Sequence, residues 1–263
     1  MSHPLSSRAR QAGFSLIELL LSVSLFIIIS GAAFSLLNMA QKRFKTEGQV
    51  LNSFQQGRLA LDMIVRDVND SGYPAANQFT AVAPALTKYA ATPVAWSPNS
   101  ANPCAIGACV SPGDFDLILE ELDNTTNNVE WIHYQLVGTT LLRGSVIKGN
   151  GTDPLGDTSA PGVMFPYATN VMNNSPAQIT QINAAYPGTF PAGAPVPVFT
   201  YYCDSPTGPK LCTDPTIAAF NLANNIREVE VTLIVMIQQP DMQTGRLRVV
   251  TLNGRGHRVN PNQ

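Results

Sequence analysis

The chain has 263 residues, enough for one or two domains, and a formal charge of −2. Only 13% of its residues are charged, about half the usual share for a soluble domain. With no basic excess, bulk charge does not indicate a nucleic-acid partner. Twenty prolines and nineteen glycines, alongside abundant Asn, Thr and Ala, predict a loop-rich body built mostly of β-structure.

Residues 1–12 are polar, with Arg8 and Arg10 as their charges. Gly13 then opens the run Phe14-Ser15-Leu16-Ile17-Glu18-Leu19, and no charged residue appears from Leu19 to Leu37. The apolar segment from Phe14 to about Ala40 is long enough to span a bilayer, since roughly 20 helical residues cover ~30 Å. Ser22, Ser24 and Ser30 return their hydroxyls to the helix backbone in such a segment. A cleaved signal peptide would end at small residues such as Ser30-Gly31-Ala32-Ala33, but here the apolar run continues through Phe34, Leu36 and Leu37. An ordinary anchor leaves Glu18 unexplained, because an acid at the centre of a spanning helix costs ~2.5–3.5 kcal/mol; near the interface the cost falls.

A third reading accounts for more of these residues. Gly13-Phe14-Ser15-Leu16-Ile17-Glu18 closely resembles the processing site of type IV prepilins and type II secretion pseudopilins. The resemblance implies that a membrane prepilin peptidase cuts after Gly13 and methylates the new amino terminus on Phe14. Glu18 then becomes the fifth residue of the mature chain and an assembly-register residue. Glycine leaves a protease unobstructed at the membrane surface, and cleavage creates a cationic amine beside the apolar segment. That amine, of the same or a neighbouring subunit, is a natural partner for the Glu18 carboxylate, since a paired buried charge is tolerated and an unpaired one is not.

From Gln41 to Asn69 the pattern continues as an amphipathic helix, with Leu51, Phe54, Leu61, Ile64, Val65 and Val68 in one apolar stripe. Arg58, Asp62, Arg66 and Asp70 follow at steps of four, an opposite-charge ladder worth a few tenths of a kcal/mol per pair. It reads as a solvated face or as a contact face for a neighbouring subunit. Gly48 and Gly57 weaken the helix by ~1 kcal/mol each and mark candidate bends, Gly31 is a softer point in the apolar half, and Gly72-Tyr73-Pro74 ends the helix. Lys42, Arg43 and Lys45 follow the apolar segment as Arg8 and Arg10 precede it, so charge counting leaves topology undecided.

Residues 74–113 read as an irregular excursion holding at most a short strand. Strand patterns then cover 115–122, 129–137 and 141–147, the last two as a hairpin across Gly138. Residues 149–195 read as a second long excursion. Val196–Tyr202 leads into a cysteine loop, Ile226–Ile237 is the clearest strand, and Leu247–Leu252 returns beside it as a hairpin. On that strand Val229, Val231, Leu233, Val235 and Ile237 share one face. The polar tail from Gly254 to Gln263 reads as frayed.

The four cysteines form two close pairs, Cys104 with Cys109 and Cys203 with Cys212. An even number in short loops suits two local disulfides in an oxidising compartment, each worth ~2–3 kcal/mol by loop closure. Four free thiols, or one zinc site built from both pairs, remain the alternatives. Neither pair has the two-residue spacing of a zinc knuckle, and no histidine lies close by.

Catalytic constellations do not stand out. His133 sits mid-strand as a surface or cross-strand residue. Asp114, Asp116, Glu120, Glu121 and Asp123 are spread along a strand, which favours a solvated face over a calcium site. Tyr201 and Tyr202 read as packing residues, with a contact patch as the alternative.

The expected fold is α+β. A long N-terminal helix, membrane half plus amphipathic half, packs on an antiparallel β-sheet head with long loops, as in pilins. The expected division is 1–13 as leader, 14–72 as helix and 73–263 as head. The head resembles PilW-type minor pilins and J-type minor pseudopilins. The residues that carry this are Arg58 through Tyr73, Ile132-His133-Tyr134-Gln135-Leu136 with Leu141-Leu142-Arg143, Val198 to Tyr202, and Ile226 to Val229; Asn253-Gly254-Arg255 departs from the arginine–asparagine ending of those relatives. The resemblance implies a non-enzymatic filament subunit that helps initiate or cap a type IV pilus-like filament, and the residues themselves point to no cofactor or metal site. Its partners would be prepilin peptidase, other minor and major pilins or pseudopilins, the inner-membrane assembly platform, and membrane lipid before assembly. Its location would be the bacterial inner membrane, single-pass, with the head in the periplasm and then in a filament. The alternative is an adhesion or DNA-uptake minor pilin whose head binds a ligand through the two excursions.

Overall fold

The computed structural model describes residues 15–79, 85–97, 103–149, 153–237, 240 and 245–258. One helix, α1 (Leu16–Asp70), runs through 55 residues without a proline, rich in the strong helix formers Leu and Ala. No glycine in it, whether Gly31, Gly48 or Gly57, interrupts the helix. It stops where Ser71 Oγ donates to the Val68 carbonyl at 2.7 Å and Gly72 turns left-handed at φ 85°. A side chain at Gly72 would meet the Pro93 ring at 2.8 Å, so both conformation and space require glycine.

The chain divides into two compact units, Met1–Gly48 and Gln49–Gln263. In the first, the apolar side chains of α1 lie open, with Leu16 76%, Phe26 70% and Leu36 67% exposed. Among its described residues, the second unit holds two antiparallel sheets. The larger has the order β1 (Val94–Ala95), β2 (Asp116–Asp123), β3 (Asn128–Val137), β4 (Thr140–Ile147) and β5 (Phe165–Thr169). The smaller has the order β7 (Lys210–Leu211), β6 (Phe199–Cys203), β8 (Ile226–Ile237) and β9 (Arg248–His257). The α+β layout matches the expectation, with the antiparallel head split into two sheets.

One core joins the second unit's share of α1 to both sheets. Ala60, Leu61, Ile64 and Val68 pack with Leu117, Leu119, Ile132 and Tyr134 of one sheet and Val229, Val231, Leu233 and Val235 of the other. The helix approaches β9 closely because β9 alternates glycine on that face. A Cβ at Gly254 would lie 2.9 Å from Leu61 and Val65, and one at Gly256 would lie 2.5 Å from Val68. Gly57 is the counterpart on the helix, within 2.9 Å of Leu252 by the same measure. Its helix-weakening glycine therefore marks close packing rather than a bend.

Two expectations are corrected here. The tail is not frayed from Gly254, since β9 continues to His257, whose backbone N–H donates to Asn69 Oδ1 at 2.7 Å. Arg258 then donates to the Ile226 carbonyl at 2.9 Å, while 259–263 lie outside the described residues. The excursion 149–195 is not structureless. It contains α2 (Pro154–Thr158), β5 and α3 (Pro176–Ala185). Asp153 caps α2 by accepting from Gly156 N–H at 3.1 Å, and each helix opens with proline at its first position. These helices cover the faces turned away from α1. Leu155 packs on Ile118 and Trp131, and Ile179 and Ile182 pack with Ile234 and Met236. Among the described residues of 74–97 are the 3₁₀ turns Ala76–Gln78 and Leu86–Lys88 and the two-residue β1.

Candidate processing and assembly segment

Gly13 and Phe14 lie outside the described residues, which begin at Ser15. Immediately after them, Ser15 and Glu18 stand in the Ser-x-x-Glu order of a capping box. Ser15 backbone N–H donates to Glu18 Oε2 at 3.0 Å, so the carboxylate occupies one donor left open at the start of α1. Its negative charge is also favourable at the positive end of the helix dipole. One turn on, Ser22 Oγ donates to the Glu18 carbonyl at 2.7 Å and Ser24 Oγ to the Leu20 carbonyl at 2.8 Å. These returns keep the hydroxyls satisfied in a helix surface that is otherwise apolar. The helix is long and apolar enough to cross a membrane.

In the second unit, Cys104 is bonded to Cys109 and Cys203 to Cys212. Both loops grip one short segment. Ala223 N–H donates to the Cys104 carbonyl at 3.1 Å, Asn221 Oδ1 accepts from Ile106 N–H at 3.1 Å, and Asp204 N–H donates to the Asn225 carbonyl at 2.9 Å. The short crosslinks thus hold residues 221–225 just ahead of β8. Tyr201 is buried and donates to the Gly113 carbonyl at 2.7 Å, a packing role. Tyr202 reaches Glu230 at 2.8 Å beneath the Arg255 guanidinium.

Only part of the acidic stretch is a solvated face, with Asp114 exposed and Asp123 part-exposed. Asp116 and Glu120 are buried, each with specific partners. Asp116 Oδ2 accepts from Gln135 at 2.9 Å and faces His133 Nε2 at 3.1 Å; His133 itself is fully buried, with Thr158 Oγ1 at 2.9 Å from its other ring nitrogen. Glu120 accepts from Lys148 Nζ at 2.7 Å, Trp131 Nε1 at 3.1 Å and Ala91 N–H at 2.7 Å. The reason is that α2 and residues 89–95 cover this side of β2 and β3, so each acid must be hydrogen-bonded. Among the described residues, no group of three or more His, Cys, Asp or Glu side chains is placed to hold a metal ion.

The end of α1 is tied to the larger sheet by a third polar cluster. Tyr134 donates to Asp67 Oδ2 at 2.6 Å, and Arg143 donates to the same oxygen at 3.0 Å and to the Tyr134 hydroxyl at 2.9 Å. Burial and the Asp67 charge push the Tyr134 hydroxyl well above its ordinary pKa. Glu121 lies beside this cluster in a cleft of about 360 Å³ with Asn69, Asp70, Ser71 and Tyr73. Burial, then the charges of Asp67, Asp70 and Glu130, raise its pKa to about 8 against the opposing pull of Arg143. The sequence carries no local signal for these pairings, which join residues 9 to 76 positions apart.

Residues 8–34 match the family model of the prokaryotic N-terminal methylation motif. The chain therefore carries a type IV prepilin-like leader motif, and the match runs directly into the exposed apolar part of α1. Leader and apolar helix together fit a membrane-anchored precursor of the pilin or pseudopilin type. The match ends at residue 34 and does not extend into the head. No curated protein and no solved structure matches the chain.

Proposed function

We propose that this chain is a minor type IV pilin or pseudopilin, a structural subunit that helps initiate or cap a pilus-like filament. One observation carries the reading: the methylation motif over 8–34 and the solvent-exposed apolar start of α1 are the same stretch. Such a helix surface is stable in lipid before assembly and against other helices afterwards. In this reading residues 1–13 are the leader, 14–72 the helix and 73–263 the head. Prepilin peptidase cuts after Gly13 and Phe14 is N-methylated. The new amine belongs to the residue that directly precedes Ser15 in the sequence, and Ser15 N–H donates to the Glu18 carboxylate. Glu18 then sets register by pairing with that amine or with a neighbouring subunit's.

A minor rather than a major role is supported by the head, whose two sheets and long covering segments form a bulky, irregular unit. A tip or initiation complex needs few copies of such a subunit, whereas a densely repeated shaft needs many. The two disulfides support a head in the periplasm, with the chain single-pass in the inner membrane until extraction. Its partners are prepilin peptidase, the assembly platform and other pilins or pseudopilins.

Intact-mass measurement of the protein from its native cell tests the proposal. The expected mass lacks residues 1–13 and carries one extra methyl group on Phe14. A retained leader, or an unmethylated Phe14, removes the basis of the reading. Quantitative recovery of the chain from purified filaments separates a minor subunit from a major one, and Glu18→Ala is expected to lower that recovery sharply without unfolding the head.

A further inference from the structure

The outward face of α1 between Leu51 and Asp70 presents a pattern that neither the fold nor the processing motif uses. Leu51 and Leu59 are 56% and 67% exposed there. Beside them run Arg58, Asp62, Arg66 and Asp70, with side chains 54–69% exposed. Within the chain, Arg58 reaches Asp62 at 3.9 Å and Arg66 reaches Asp70 at 3.7 Å. Both distances exceed ordinary hydrogen-bond length, so the heads of all four side chains keep bonding capacity toward solvent or a partner.

We infer that this face pairs with the same face of a second copy, parallel and offset by one helical turn. The charges alternate in sign at exact four-residue steps, so each alignment has a definite outcome. In register, every charge faces its own kind. An offset of two turns also sets like against like, Arg58 against Arg66 and Asp62 against Asp70. An offset of one turn, about 6 Å along the axis, sets Arg58 opposite the other copy's Asp62, Asp62 opposite its Arg66, and Arg66 opposite its Asp70. The same offset brings Gln55 beside the second copy's Leu59. An antiparallel alignment is also complementary, but copies that enter one membrane by the same N-terminal segment share one polarity. The inference rests on the filament-subunit reading for that shared polarity, and an initiation complex with few copies still accommodates two adjacent ones.

Cysteine crosslinking of full-length chains in isolated membranes tests the offset. Two differently tagged copies are co-expressed, one with Gln55→Cys and the other with Leu59→Cys, and oxidised. The 55–59 crosslink is expected to exceed the in-register 55–55 crosslink by about fivefold, the scale of three screened ion pairs. Arg66→Glu in both copies places acid against acid at two of the three contacts and should erase that excess. Reversing all four charges together (R58E, D62R, R66E, D70R) recreates the alternation and should restore it. Equal yields for the two crosslinks, or an excess indifferent to Arg66→Glu, would overturn the pairing. Leader removal and Phe14 methylation are read by mass on the same samples. Processed chains without the excess sink the pairing alone, whereas a retained leader sinks the filament reading and the shared polarity with it.

Discussion

Replacing Asp67 by alanine removes the one oxygen that both Tyr134 and Arg143 use to hold the end of α1 against the larger sheet. The loss has two parts. The Tyr134 hydroxyl is left buried without its acceptor, at a cost of about 1–3 kcal/mol. Breaking a buried ion pair costs about 3–5 kcal/mol when the remaining charge is stranded. Here that figure is reduced, because the Arg143 side chain is 24% exposed and can reach water. A net loss of about 3 kcal/mol follows, a large share of the stability of an ordinary domain. Asp67→Asn keeps an acceptor for Tyr134 and should cost only about 1 kcal/mol. Urea unfolding of the full chain in mild detergent, followed by tryptophan fluorescence, measures both, since Trp131 lies buried on β3. The cycle closes with Arg143→Met, which should show coupling to Asp67→Ala of at least about 1 kcal/mol. Equal losses for the alanine and asparagine variants, or a coupling near zero, would refute the shared-acceptor argument.

Glu121 makes the head's stability depend on pH. Its folded pKa of about 8 lies above the ordinary 4.5, so the folded state holds a proton that the unfolded state releases. The associated stability is complete below about pH 4.5 and is lost as pH rises to about 8. Glu121 is only part-buried, so solvent screening reduces the effect to on the order of 1–2 kcal/mol. Glu121→Gln should be neutral near pH 4.5 and stabilising by about that amount at pH 8, as read from the difference between wild-type and variant unfolding curves. Gly256→Ala should destabilise by about 1–3 kcal/mol, because its methyl group would press on Val68 of α1. Gly31→Ala meets nothing within 4 Å and should leave thermal unfolding of the head unchanged.

Much of the architecture was legible because its signals are local. The uncharged run and the apolar stripe from Leu51 to Val68 predict α1 to within a few residues of Leu16–Asp70, since helix formation depends on neighbours three and four positions apart. The hairpin 128–147 was legible for the same reason, with alternation on either side of Gly138. So was the clean run of β-branched residues in β8. Asp153-Pro154 and Ser175-Pro176 also carry readable helix-start signals, which the high content of Gly, Asn and Thr around them obscured. Glu18 was read only against the N-terminal amine. Its spacing from Ser15 also encodes a helix cap, in which the carboxylate accepts from Ser15 N–H.

By itself, then, the sequence determined the helix, the prepilin-like leader motif at its start and the alternation of the main strands, because each is specified by residues adjacent in the chain. Tertiary structure alone decided which polar residues are buried. Asp116 and Glu120 alternate along β2 as if facing water, and only the return of α2 and Lys148 over that face encloses them. It also decided that Gly254 and Gly256 belong to a strand. Their missing side chains look like a loop signal in the sequence, yet they are the space into which Leu61, Val65 and Val68 of α1 fit. Burial depends on what arrives from elsewhere in the chain, and no local pattern records that.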